Sequence, residues 1–285
     1  MANQPNRLEI RLDPNGVAAV AQATVTLAAH VVGTLLRALE RDDLSAPEMQ
    51  AGHFGYQFSG LEMEPSERRE AFKNWVLSKG FQDLARGVRT TLEEAVLYLR
   101  TAAMKHGPTT LAKVEADIAE IRARAGAMRF PQLLEEVNPG LREPMAFEVE
   151  FRSLQKVRNC LEHRGGRVGR TDVETGTESL TLSFPRLKLF YLRGDEEVEV
   201  APGEAIDTQA PDNPFGGQTE VPIYFKRVTR NRTYGLGEAV KITASDFFEI
   251  AMACHFFAAD LAAKLPILPA LDDTSVEDGK HPSRE

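Results

Sequence analysis

Apolar residues recur at steps of three and four along most of the chain as far as Leu161, and at steps of two further on. The first spacing is that of one face of an α-helix, the second that of one face of a strand. Val17 to Glu40 reads as a helix with a broad apolar face, ending at the polar turn Arg41-Asp42-Asp43. Residues 44 to 64 hold Pro47, Gly52, Gly55 and Gly60 among aromatics and read as an ordered loop. Pro65-Ser66-Glu67 is a helix start. From it, Phe72, Trp75, Val76, Phe81, Leu84, Val88, Leu92, Val96 and Leu99 carry a helix to about Lys105, with a bend expected at Gly80 and an end at Gly107-Pro108. A shorter helix follows from Thr110 to about Ala125, then a helical turn from Pro131 to Glu136.

The next helix is expected from about Glu143 to Arg164. Phe147, Phe151, Leu154, Val157 and Leu161 form its stripe, and Gly165-Gly166 supply the residue type that helix ends favour. Between residues 177 and 242 apolar and polar residues alternate between proline and glycine clusters, which predicts three to five antiparallel strands. Thr243-Ala244-Ser245-Asp246 caps a last helix, apolar around most of its circumference and expected to enter the helical body rather than to cover the sheet. The fold class is therefore mainly α: a helical bundle with an antiparallel β insert before its last helix. Residues 1–170 form the bundle, 171–242 the insert, 243–267 the closing helix, and 268–285 a polar tail expected to be disordered.

Composition narrows the function classes. The 285 residues carry a formal charge of −8, which argues against sequence-blind coating of nucleic acid. No apolar run is expected to cross a membrane; Val17 to Leu36 comes nearest, diluted by alanine and threonine. Cys160 and Cys254 form neither a disulfide framework nor a metal-ligand spacing, so a reducing cytoplasm is expected, with no cofactor and no metal. There is no Walker lysine and no nucleophile elbow.

The chemistry concentrates in KVRNCLEHRGG, residues 156 to 166. On a helical wheel Arg158 falls within the apolar stripe, close to Leu154 and Leu161, where a guanidinium needs a partner, a cleft or an interface. Asn159 and His163 lie four apart on a neighbouring face, and the negative end of the helix favours a protonated ring at His163. A histidine beside a fixed cation and an amide suits acid–base work on a phosphodiester. The same spacing also fits a plain helix end, with Arg158 extending its stem to the edge and His163 finishing the last turn.

Arg158-Asn159-Cys160-Leu161-Glu162-His163 resembles the R-x4-6-H motif of the HEPN superfamily, with a polar residue after the arginine, and RNCLEHRGG is similar to the form at helix ends in bacterial members. The resemblance implies a dimerising helical bundle that cleaves RNA without metal in a cleft shared by two copies. By it, His163 acts on the ribose 2′-hydroxyl and the leaving oxygen, Arg158 stabilises phosphate charge and Asn159 positions the phosphate. It equally covers members that bind rather than cut, as interaction or nucleotide-sensing modules. Such proteins often belong to toxin–antitoxin or antiviral systems, so RNA, a second copy, and an antitoxin or sensor protein are the partners it implies. Arg100 and His106 fit the loosest form of the motif but lack the asparagine and precede Gly107-Pro108.

Two basic patches accompany the motif. Arg152, Lys156, Arg158, Arg164, Arg167 and Arg170 are opposed by Glu162 alone. Further on, Lys226, Arg227, Arg230 and Arg232 lie among Tyr224, Phe225 and Tyr234. Lys156, Arg164, Arg167, Arg170, Lys226, Arg227, Arg230 and Arg232 are thus the candidate RNA contacts, with charges for phosphates and rings for bases. A solvated basic strand with its aromatics turned alternately inward accounts for the second patch equally well. His30 and His255 read as packing or surface residues.

Overall fold

The computed structural model describes residues 10–41, 44, 49–51, 53–56, 63–104, 109–200 and 221–267. Helix α1 spans Pro14–Leu39, with Asp13 accepting from the backbone N–H of Asn15 and Pro14 at the first helical position. It runs antiparallel to α2, Pro65–Ala102: Lys73 pairs with Glu40 at 2.7 Å, and Val32 and Val25 pack further along at Gly80 and Gly87. Helix α6, Ala244–Lys264, completes a three-helix core. Its Phe247 reaches Gly80, while Ala258 and Ala262 meet Ala18 and Ala21.

Helix α2 continues through Gly80, where a bend had been expected. A Cβ there would lie 2.5 Å from Val32 Cγ2 and 2.8 Å from Phe247 Cε2, so the missing side chain lets α1 and α6 approach the α2 backbone closely. Helices α3, Leu111–Ala127, and α4, Phe130–Val137, pack on α2, and Arg89 ties that packing by donating to the carbonyls of Gly126 and Met128.

Helix α5 spans Glu148–His163, shorter than the expected start near Glu143. Pro144 lacks the donor that a helix interior needs, and Phe147 takes φ 56°, so the chain turns just before the first helical residue. The expected loop around residues 44 to 64 contains a short antiparallel pair, β1 Met49–Ala51 and β2 Phe54–Tyr56.

Strands β3 Ser179–Arg193, β4 Glu196–Glu199 and β5 Tyr224–Gly235 form one antiparallel sheet in the order β4-β3-β5. Strand β4 covers β3 only from Phe190 to Arg193. Over the uncovered stretch α5 takes its place: Ser153 Oγ donates to the carbonyl of Ser183 and accepts from its N–H, both at 2.8 Å. Pro185 faces that same edge, two residues on, where its missing N–H leaves the ladder to β5 intact.

The insert is not a separate layer. Leu180, Leu182, Phe184 and Tyr234 join Leu154, Val157, Phe247 and Leu261 in one core. Nor does α6 choose between bundle and sheet: it packs on α1 and α2 and also on β3, correcting the expectation that it would enter the bundle alone. Helix α1 likewise departs from expectation, since it is long and apolar enough by composition to pass as a membrane span. Its Val17, Val25, Ala28 and Val32 are buried, whereas Val20, Leu27, Val31 and Leu35 are exposed. The expected disordered tail and the Gly107-Pro108 stop lie outside the described residues.

Candidate functional site

The motif occupies the last two turns of α5. Gln155 fixes the helix to the core by donating to the Ala85 carbonyl of α2 at 2.6 Å, and Val157, Cys160 and Leu161 bury the opposite side. The helix ends as the glycines indicate: Gly165 and Gly166 take φ 61° and 77°, and the Gly166 N–H returns to the Cys160 carbonyl at 3.1 Å. The chain then clips onto the turn after β5: Val168 donates to the Glu238 carbonyl and accepts from the Gly237 N–H, and Val240 donates to the Gly166 carbonyl.

On this end Arg158 is half-buried and ion-paired with Glu162, one turn along the same helix, while its Nη1 donates to Asn159 Oδ1 at 3.2 Å. This is the partner its place on the apolar stripe required. Glu162 also lies 3.8 Å from His163 Nε2, so one carboxylate stands between the guanidinium and the imidazole. The His163 side chain is 60% exposed. The structure thus brings Arg158, Asn159 and His163 together on a supported helix end, with Glu162 as an unforeseen fourth member.

The candidate RNA contacts divide. Lys156 and Arg170 are exposed and make no ion pair among the described residues. Arg167 donates to the Gly237 carbonyl at 2.7 Å. Arg164 is committed inward: its Nε and Nη2 both bond Asp172, whose side chain is 2% exposed and also accepts from the Gly169 N–H. On β5, Arg232 forks onto Asp246 with two bonds of 2.8 Å, and Arg230 lies 3.3 Å from Asp246 and 3.0 Å from Glu249. Lys226 pairs with Glu197 at 2.7 Å, and Arg227 lies over the Phe256 ring at 5.3 Å.

The two patches do not merge along their length. Lys226 and Arg227 stand near the start of β5, some 30 Å of strand from the Gly235 end that meets Arg167, at about 3.3 Å per residue. Tyr234 is turned inward and donates to the Lys241 carbonyl at 2.8 Å, and burial pushes its hydroxyl up to about 12. Tyr224 and Phe225 are exposed.

What the sequence reading missed is the set of acidic partners. Thr243 caps α6 by accepting from the Asp246 N–H at 3.1 Å, and the Asp246 carboxylate, first read only as part of the capping stretch, is the anchor for two arginines of the sheet. Burial alone would raise its carboxyl, but Arg232, Thr243 and Arg230 hold it below the usual aspartate range. Glu249 behaves oppositely: burial pushes it up against the opposing pull of Arg230 and Arg186. Its Oε2 has Arg230 nearby in charge, but not at hydrogen-bond geometry. No signal in the sequence singled out either carboxylate.

Burial raises the thiols of Cys160 and Cys254, so neither is placed as a nucleophile. Among the described residues no three His, Cys, Asp or Glu side chains converge into a group that could hold a metal. Comparison with family models, with curated proteins and with solved structures finds no match.

Proposed function

We propose that this chain is a metal-independent endoribonuclease of HEPN type, acting at a site shared by two copies. The observation that supports it is the array at the exposed end of α5: Arg158 and His163 on either side of Glu162, with Asn159 hydrogen-bonded to the guanidinium. His163 in its neutral form takes the proton of a ribose 2′-hydroxyl. The 2′-oxygen then attacks phosphorus, and the 5′-oxygen leaves with a proton from a protonated imidazole. Base and acid must stand on opposite sides of the phosphorus in this in-line displacement, so an exposed histidine on one helix end needs a second copy's histidine facing it. The products are a 2′,3′-cyclic phosphate and a 5′-hydroxyl.

Arg158 supplies phosphate stabilisation once the phosphate displaces Glu162 from it, an exchange of one anion for another at an arginine fork. Lys156, Arg167 and Arg170 surround this end and bias an anionic strand toward it. The test is cleavage of RNA in EDTA by the wild type, His163→Ala and Arg100→Ala. General acid–base catalysis contributes roughly 10²–10⁴-fold, so His163→Ala should lose about that factor. Arg100, paired with Glu136 away from the motif, should leave the rate unchanged.

A second reading, a non-catalytic interaction or nucleotide-sensing module, is favoured by one observation: Arg158 already has its counterion on its own helix. Under it, RNA or nucleotide binds and no product forms.

A further inference from the structure

A groove of about 330 Å³ lies between the sheet, α6 and the start of α5, and none of the motif residues lines it. One wall is the sheet face carrying Pro185, Leu187 and Leu189, with Arg227 opposite Leu187 in register. The other is the exposed stripe of α6, Phe248, Met252 and Phe256, with Phe147 and Phe151 closing the end. The volume is at the lower end of small-molecule sites, and apolar walls with few polar groups are their usual make-up.

The charged groups on the walls decide what polar end a ligand would carry. Arg186 holds Glu199 in a two-pronged pair of 2.5 and 2.9 Å. Glu249 faces Arg230, and Asp260 pairs with Lys264 at 2.8 Å. Arg227 alone among the charged lining residues has no ion pair within the described residues. It lies over the Phe256 ring, and a guanidinium held by a ring rather than by a carboxylate keeps its N–H donors available, in the fork geometry that a carboxylate accepts.

Phe147 adds an independent sign. It adopts φ 56°, a conformation that a bulky residue rarely takes, and it lines the groove from that position. The loop that bears it is latched to the end of α6, Arg142 N donating to the Lys264 carbonyl at 2.8 Å and Lys264 Nζ to that of Pro144 at 2.9 Å. The strained backbone at Phe147 therefore lies in a loop held by contacts outside the groove.

We propose that this groove binds a small amphipathic monocarboxylate, its alkyl or aryl body between the sheet and α6 and its carboxylate on Arg227. The site is separate from the array on α5 and stands whether or not that array cuts RNA. The experiment is calorimetric titration of the full chain with decanoate, below its micellar concentration, and with decanol as the uncharged counterpart. The expected result is saturable binding of one decanoate per chain, at least tenfold tighter than decanol. Arg227→Gln should remove that preference and leave decanol binding unchanged, while Met252→Trp should fill the groove and abolish both. Should Met252→Trp fail to fold, Arg227→Gln decides alone, with circular dichroism confirming its fold. Absence of saturable binding, equal affinity for decanoate and decanol, an undiminished preference in Arg227→Gln, or binding that survives in a folded Met252→Trp would each overturn the proposal.

Discussion

Arg158 and Glu162 face each other one helical turn apart at the end of α5, and the carboxylate that neutralises the arginine also stands beside His163. A phosphate arriving at Arg158 therefore competes with Glu162. Pairs of this kind on a helix surface contribute only about 0.3–0.5 kcal/mol, so the exchange is easily made.

Replacing Glu162 by Gln removes the competitor. Single-stranded RNA should bind about twofold tighter at fixed salt, the factor that losing a competing pair of roughly 0.3–0.5 kcal/mol gives. Fluorescence anisotropy measures it, and thermal unfolding should be nearly unchanged. Weaker binding would mean that Glu162 organises the site and does not mask it.

Arg164, six residues beyond Arg158, has the opposite character. Its partner Asp172 is buried and fully engaged, so Asp172→Ala leaves both the guanidinium and the Gly169 N–H without their acceptor. A fully buried pair broken from one side costs about 3–5 kcal/mol. Arg164 keeps a solvent-facing side, which brings the expectation to about 2 kcal/mol, read from the urea midpoint. A variant as stable as the wild type would show that the pair does not hold the segment after α5.

Gly80→Ala tests the helix packing. The added methyl would meet Val32 and Phe247 well inside contact distance, and overpacking of this kind costs about 1–3 kcal/mol. If Gly80 were instead a flexible bend, alanine would stabilise α2 by up to about 1 kcal/mol. The sign of the shift in unfolding midpoint separates the two.

The pH dependence of stability should carry the mark of Asp246, whose folded-state carboxyl lies below its ordinary value of 3.8. A depressed carboxylate contributes stability that is present above the unfolded value and lost as pH falls through the folded one. Wild type and Asp246→Asn should therefore differ most at neutral pH and converge below about pH 3.8, as followed by urea unfolding at each pH. A difference that persists unchanged in acid would assign the effect to lost packing rather than to charge.

How much of this was legible in the sequence differs by residue. The helices, the end of α5 at Gly165-Gly166 and the inward side of α6 follow from periodicity and capping, which are local. The true start of α5 was hidden because Phe147 fits the apolar stripe while its backbone leaves the helix. Gly80 looked like a bend because a missing side chain signals either freedom or close approach, and only the neighbours choose. The acidic partners of β5 were not legible because Asp246, Glu249 and Glu197 reach Arg230, Arg232 and Lys226 from elsewhere in the chain. The groove at Arg227 is built from segments far apart in sequence, and no local pattern encodes it.

The most direct test of the ribonuclease reading is the chemistry of the ends it leaves. End-labelled single-stranded RNA incubated with the full chain in EDTA should yield 2′,3′-cyclic phosphate and 5′-hydroxyl termini, with the products vanishing in both His163→Ala and Arg158→Ala. Products bearing 3′-hydroxyl and 5′-phosphate ends, or cleavage that persists in folded His163→Ala, would contradict the assignment of α5 as the site.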